Sequence, residues 1–327
     1  MAEGAPVDGR SRYGLTALWL AAREGHTEVV QALLEAGAQV DAADVIGCTP
    51  LQAAALGPHL EVMRALLAAG AAPGKADAGG VTQLLVAAIR GSEEAVAMLL
   101  EAGADPSPAD KGGMTPLHNA AQFGFTTICA QLLAAGAELN AACSHNANTP
   151  LMQAALSRQA AAAELLLEAG AEVEVGNAQG WTVLHHAAQA GAARIARSLV
   201  RHGADVAALD AMAHTPLHFA SQAEPCDVVH AARDLAGQPG AQRMWQHGAR
   251  VQSSYELSGG GAQPDQPDPV ASVGVLLEVS ARLAAGADPN AADVNRGTPL
   301  HFAAMAGATG TAAALLQAGA NPLALDV

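Results

Sequence analysis

Apolar residues recur along the chain in pairs of short runs, and polar connectors that contain glycine separate one pair from the next. The first run of a pair follows a threonine and reads Leu-x-x-Ala-Ala, as in residues 16–22. The second run, for example residues 28–34, places apolar side chains at positions i, i+1, i+4 and i+5, which form one face of an α-helix. A glycine such as Gly25 or Gly91 lies between the two runs and is suited to ending a helix. The pattern predicts a series of paired short helices.

The paired runs repeat with a period of 33 residues. The threonine before the first run recurs in steps of 33, 33, 33, 34, 33, 33 and 83 residues, and a Gly-Ala pair after the second run keeps the same steps. Two separate markers in one register over seven intervals predict eight structural repeats. The threonines are Thr16, Thr49, Thr82, Thr115, Thr149, Thr182, Thr215 and Thr298, and the glycines are Gly37, Gly70, Gly103, Gly136, Gly170, Gly203, Gly286 and Gly319.

The start of each repeat carries the signals of a helix N-terminus. Threonine is a favoured N-cap residue, and a proline after it, as in Thr49-Pro50, suits the first helical position because the N–H that proline lacks has no partner there. Neither helix of a pair can bury its apolar face alone. We therefore expect the repeats to be stable only when they stack on their neighbours.

The opening of the repeat resembles that of ankyrin repeats. Thr115-Pro116-Leu117-His118 and its counterparts match the T-P-L-H-x-A opening, and the 33-residue period is that of the family. The resemblance covers residues 4–327 apart from one interruption. It implies an all-α ankyrin-repeat solenoid of about eight helix–turn–helix repeats with hairpin-like connecting loops. It also implies that the motif histidine bonds to backbone and to the threonine, and so ties one repeat to the next.

The interruption falls in the seventh repeat, where the step from Thr215 to Thr298 exceeds 33 residues by 50. We divide the chain into residues 1–236, which hold repeats one to seven up to the start of the seventh, residues 237–269, an insertion expected to be a mobile linker, and residues 270–327, which hold the end of the seventh repeat and the eighth.

The origin of the insertion stays open. Residues 246–251 resemble residues 201–206, so a decayed ninth repeat, a plain insertion and a retained intron are the alternatives. Trp245 and Tyr255 lie within it and would suit a loop that binds a partner. We expect the second helix of the interrupted repeat to resume at residues 273–285.

The first and last residues both lie within connectors. A capping repeat presents a polar outer face, but the last helix pair keeps Leu300, Phe302, Leu315 and Leu316. Either the chain is a fragment of a longer array, or its exposed end docks on another chain. We expect a monomer, with end-to-end association through uncapped terminal repeats as the alternative.

Composition and charge exclude several classes of partner. Hydrophobic residues make up 51% but aromatics only 3%, which favours packing of small side chains between helices. With 16 basic and 31 acidic residues, the net charge of −15 argues against nucleic acid, and two lysines cannot form a polybasic membrane patch. No apolar run reaches the ~18 residues of a membrane span. The negative charge serves solubility or attracts basic partners.

Catalytic and metal-binding motifs are absent from the sequence. The recurring motif histidines are structural in this interpretation, and Cys143, His145 and Asn148 lack the further ligands that a metal site needs. The four cysteines show no zinc-like spacing and indicate a reducing cytoplasmic or nuclear compartment. We expect no enzyme activity, no cofactor and no metal.

The resemblance places binding on a concave face, formed by the loop tips and by the outward positions just before the glycine that ends each first helix. In this chain we expect a line of apolar side chains across four consecutive repeats on that face, with further apolar residues beside it. Cationic side chains are expected to fix the register of the bound partner through polar contacts. The candidate partner-binding residues are Leu56, Ile89, Phe123 and Leu156 in the line, Val45, Ile46, Met114 and Trp181 beside it, and the cations Arg90 and Lys111. The alternative is that Met114 and Trp181 only pack against the adjacent repeat.

These features predict a non-enzymatic protein–protein interaction scaffold or adaptor. The alternative is a targeting or regulatory ankyrin segment of a larger protein, such as an enzyme, a ubiquitin-ligase adaptor or a channel.

Overall fold

A computed structural model describes residues 7–222 and 286–322, and every regular element in that part of the chain is an α-helix. The predicted all-α class is confirmed. The chain divides into two compact units, Met1–Gln153 and Ala154–Val327, which are described separately. The expected insertion at residues 237–269, the helix expected at 273–285, Trp245 and Tyr255 all lie outside the described residues.

The first unit is built from helix pairs. They are α1 (Ala17–Glu24) with α2 (Thr27–Glu35), α3 (Pro50–Ala55) with α4 (Leu60–Ala68), α5 (Gln83–Arg90) with α6 (Glu93–Glu101), and α7 (Pro116–Phe123) with α8 (Thr126–Ala134). Each first helix packs on its own second helix and on the first helix of the next pair, and the second helices also pack in sequence. Helix α9 (Pro150–Leu156) crosses the boundary between the units.

The second unit continues the same design. Its helices are α10 (Ala160–Glu168), α11 (Val183–Gln189), α12 (Ala193–Arg201), α13 (Pro216–Ala220), α14 (Pro299–Ala306) and α15 (Thr309–Gln317). Helix α13, the first helix of the interrupted seventh repeat, packs on both α11 and α14. The seventh repeat therefore contacts the sixth and the eighth.

The motif threonines begin the first helices as the sequence predicts. The Thr16 hydroxyl accepts a hydrogen bond from the backbone N–H of Trp19 at 3.2 Å, and Thr49 caps α3 in the same way. Gly25 ends α1 in the left-handed region with φ of 79°. The motif thus fixes the length of the first helix at both ends.

The third residue after the threonine, the linking position, bonds one repeat to the next where its side chain has a donor; Leu85 and Met152 occupy this position without one. His118 Nε2 donates to the backbone carbonyl of Asn148 at 3.0 Å, which confirms the tie that the ankyrin resemblance implies. Trp19 Nε1 and Gln52 Nε2 make the equivalent bond without histidine. Their acceptors are the carbonyls of Cys48 at 3.0 Å and Val81 at 3.1 Å, and in the second unit His185 and His218 bond to the carbonyls of His214 and Gly297, each at 3.1 Å. Each acceptor directly precedes the next motif threonine.

The connecting loops are also tied to one another. In the first unit the backbone N–H groups of Val45 and Lys111 donate to the carbonyls of Tyr13 at 3.1 Å and Gly79 at 2.9 Å. Within a loop, an aspartate such as Asp44 accepts two backbone N–H bonds through Oδ1. The loop backbone is therefore held in place while its side chains project outward.

The glycine two residues before the motif threonine has a steric role. Gly113 has φ of +73°, and a Cβ at this position would lie 2.5 Å from the backbone nitrogen of Ser144 in the next loop. Gly103 at the end of α6 has φ of +85°, but a Cβ there would have nothing within 4 Å. The two glycines share the left-handed backbone and differ in the space around them.

Replacing Gly113 should therefore destabilise the protein more than replacing Gly103. Gly103→Ala should cost about 1 kcal/mol for the left-handed backbone, and Gly113→Ala about 2–3 kcal/mol because the loops must also separate. Urea denaturation of the full chain measures both changes. Equal losses for the two variants would show that loop contact contributes nothing.

Candidate protein-binding surface

Three large apolar side chains are exposed at the ends of successive first helices in the first unit. Leu56, Ile89 and Phe123 are 42%, 44% and 46% exposed. The alanines before them, such as Ala54 and Ala88, are fully buried against neighbouring helices. The last turn of the first helix therefore leaves its apolar side chain in solvent, and we call these three residues the apolar row.

Contacts made by neighbouring residues link the three repeats at the apolar row. Arg90 donates from Nε to the backbone carbonyl of Leu56 at 2.8 Å and also bonds to it through Nη2, which joins the ends of α3 and α5. The Phe125 ring covers Gly91, where an added Cβ would lie 2.7 Å from Cζ, and its centroid is 5.8 Å from that of Phe123. The row thus follows three repeats that are tied together at this edge.

Arg90 has a structural contact that the sequence does not reveal. We expect it to set polar register with a partner, but its guanidinium is bound to the preceding repeat. Lys111 is exposed at a loop tip, and its backbone N–H belongs to the ladder between loops. Val45 and Ile46 lie at the tip of the loop between α2 and α3, and they are 69% and 55% exposed. These tips add apolar area at the loop side of the first unit.

Leu20 is an exposed apolar residue that sequence reasoning missed. It is 39% exposed and lies on α1 one turn before Arg23 and Glu24, which form an ion pair at 2.6 Å. The residues at the same position of the next two repeats, Ala53 and Val86, are buried. The sequence pattern gives no signal that Leu20 is more exposed than they are.

Trp181 and Met114 are half-buried beside their motif threonines. The Trp181 ring lies 4.5 Å from that of Phe219, and its Nε1 donates to Asp210 Oδ2 at 3.0 Å. This geometry favours packing between repeats as the role of Trp181. Leu156, in the second unit, is 43% exposed and stays a candidate binding residue.

A chain of polar contacts continues from Trp181. The His214 ring lies between two carboxylates, 3.0 Å from Asp210 Oδ2 and 3.2 Å from Asp293 Oδ2. Burial acts to raise the pKa of Asp210, but hydrogen bonds from the backbone and ring of His214 and from the Met212 N–H outweigh it and hold the pKa below its usual range. These contacts connect the seventh and eighth repeats.

The buried titratable groups are unsuited to nucleophilic or metal chemistry. Burial raises the pKa of Cys48 to about 11 and that of Cys129 to about 12, so both thiols stay protonated near neutral pH. Within residues 7–222 and 286–322, no three His, Cys, Asp or Glu side chains are arranged to hold a metal ion. Over the same ranges, no helix combines the length and apolar character that crossing a membrane requires.

Burial favours the neutral form of His118, His186 and His218. The backbone N–H and hydroxyl of Thr115 both point at Nδ1 of His118, at 3.2 and 2.8 Å, so its proton lies on Nε2. Burial lowers the pKa of His118 and that of His218. Burial and the neighbouring His185 lower the pKa of His186 from 6.5 to about 4.

Comparison with known proteins agrees with this geometry. The family model described as ankyrin repeats in three copies matches residues 1–77, 37–110, 84–177 and 151–233, and the single ankyrin repeat matches residues 295–327. The chain belongs to the ankyrin-repeat family. Ankyrin repeats generally mediate protein–protein interaction and are typically non-catalytic.

Two solved structures share the fold. The human ASB11 ankyrin repeat domain is 27% identical with a TM-score of 0.59, and the match covers 69% of this chain and 99% of that chain. The ankyrin repeat domain of Bcl-3, described as a unique member of the IκB protein family, is 29% identical with a TM-score of 0.57 over 63% of this chain and 94% of that chain. The search of curated protein sequences gave no match.

Acidification from about pH 6.5 to about pH 4 should destabilise the protein, since the unfolded histidines bind protons that folded His186 does not bind until the pH reaches about 4. The contribution of His186 to this loss is on the order of 2–3 kcal/mol. Urea denaturation at a series of pH values measures it. His186→Asn, which copies the residue at the same position of the fourth repeat, should reduce the change in the free energy of unfolding with pH. His145→Asn, in an exposed loop, is the control. Equal slopes for wild type and His186→Asn would contradict the assignment.

Proposed function

We propose that this chain is a non-enzymatic protein–protein interaction scaffold or adaptor, and that the apolar row binds its partner. The observation that supports the proposal is the exposure of Leu56, Ile89 and Phe123 on three adjoining repeats whose other apolar side chains are largely buried. Adjacent exposed apolar side chains are typical of binding surfaces, and aromatic side chains are frequent anchors.

The loop tips extend the proposed surface. Val45 and Ile46 supply apolar area, and Lys111 supplies a cation, at the loop side of the same unit. Because the loop backbones are bonded to one another, these side chains are presented without a large loss of conformational freedom on binding. Leu156 is proposed as a separate contact in the second unit.

The alternative is a targeting or regulatory segment of a larger protein. Both similar structures are described as ankyrin repeat domains, which favours this second candidate. In either case we propose a monomer in the cytoplasm or nucleus that binds protein rather than nucleic acid, given the net charge of −15.

The test combines Ile89→Ala with Phe123→Ala in the full chain. Loss of both anchors should weaken partner binding by more than about 2 kcal/mol, or about 30-fold in Kd, with little change in folding because both side chains are exposed. Quantitative affinity capture from cells, followed by Kd measurement on each captured protein, gives the readout.

The matched control is Val29→Ala, which trims an apolar side chain that is 49% exposed on α2. Partners that are lost with the double variant and kept with Val29→Ala would support the proposal. Identical partners and affinities for all three proteins would refute it.

A further inference from the structure

Acidic side chains lie beside the apolar row, on the side where each first helix turns into its second helix. Glu93 and Glu94 open α6, two and three residues after Gly91. The Phe125 ring covers Gly91 and lies 5.8 Å from the Phe123 ring, so this end of the row adjoins the turn that leads into Glu93 and Glu94. Both carboxylates are exposed and have no partner among the described residues.

The other end of the row has the same arrangement. Glu28 lies in the first turn of α2, three residues after Gly25, and is exposed without a partner in the described part of the chain. The His59 ring fills the space beside both Gly25 and Gly57, and Gly57 directly follows Leu56. Free carboxylates therefore accompany the row at both ends. Their position at helix N-termini stabilises them through the helix dipole but leaves their outer oxygens open to a partner.

The basic side chains of this unit are occupied. Within residues 7–153, six of the seven are held by contacts of their own, and Lys111 at the loop tip is the seventh. Arg10, Lys75 and Arg90 bond to backbone carbonyls, Arg12 lies over the Tyr13 ring, and Arg23 and Arg64 pair with Glu24 and Glu61. Arg90 keeps its charge beside Ile89, but Glu28, Glu93 and Glu94 outnumber it, so a partner that approaches the turn side of the row meets net negative charge.

From this arrangement we infer that the partner presents a basic amphipathic helix, with an apolar stripe on the row and Lys or Arg side chains toward Glu28, Glu93 and Glu94. The inference rests on the proposed function of the row. An acidic segment would be repelled, and an extended segment would lack backbone partners because the row consists of helix side chains and the Leu56 carbonyl is taken by Arg90.

The spacing of the repeats defines the stripe. Packed helices lie about 8–10 Å apart, so successive members of the row are separated by about that distance. A partner helix parallel to the row rises about 10 Å in seven residues, which places one apolar anchor on each repeat and keeps the anchors on one face. Three anchors at a spacing of about seven residues span the row in roughly fifteen residues.

A display library of helical peptides tests the inference on the full-length chain. The peptides carry Leu or Phe at three positions seven residues apart, and the flanking positions are randomised among Lys, Glu, Gln and Ala. Selection should enrich Lys over Glu on one flank by about tenfold, and 0.5 M salt should abolish that preference. Binding of the selected peptides should weaken about three- to tenfold on Glu93→Gln combined with Glu94→Gln.

The charge-matched control is Glu35→Gln combined with Glu101→Gln, which removes two exposed carboxylates at the opposite ends of α2 and α6. This variant should bind the selected peptides as wild type does. Selected peptides that require Ile89 and Phe123 but show no preference for Lys would overturn the inference and leave the proposed function standing. Peptides whose binding survives Ile89→Ala with Phe123→Ala, or the absence of any binder, would overturn both.

Discussion

A hydrogen bond that joins one repeat to the next recurs in five repeats of this protein. The donor is the side chain three residues after the motif threonine, and the acceptor is the carbonyl that precedes the next threonine, as in the 3.0 Å bond from His118 to Asn148. The same side chain reaches back to Thr115 through Nδ1, so one imidazole fixes the start of its own helix and the position of the next repeat. Because the imidazole is buried, losing either bond would leave a polar group unsatisfied in the core.

This constraint also explains why the apolar row is exposed. The bond and the Thr cap hold the beginning of each first helix against its neighbour, and the Leu-x-x-Ala-Ala face buries the middle of the helix. In the second, third and fourth repeats the last turn projects beyond the packed alanines, and Leu56, Ile89 and Phe123 lie there. The row is thus a consequence of stacking, and the free carboxylates at the helix turn place negative charge beside the proposed binding surface.

The 33-residue period and the capped helix pairs could be predicted because the same threonine and glycine residues recur in each repeat. The linking bond was predictable only for histidine, since nothing in the pattern of residues shows that Trp19 and Gln52 reach the equivalent carbonyl. The exposure of Ile89 follows from its place in the repeat, but the contacts of Arg90 and Trp181 depend on the distance between repeats, which a single sequence does not contain.

The most direct test of the account is to exchange His118 for the residues found at the same position of other repeats. His118→Gln copies Gln52, which keeps the bond, and His118→Leu copies Leu85, which has no donor. Urea denaturation should show a loss of less than about 1 kcal/mol for the glutamine variant and about 1–3 kcal/mol for the leucine variant. A leucine variant as stable as the glutamine variant or the wild type would contradict the claim that this bond joins the repeats.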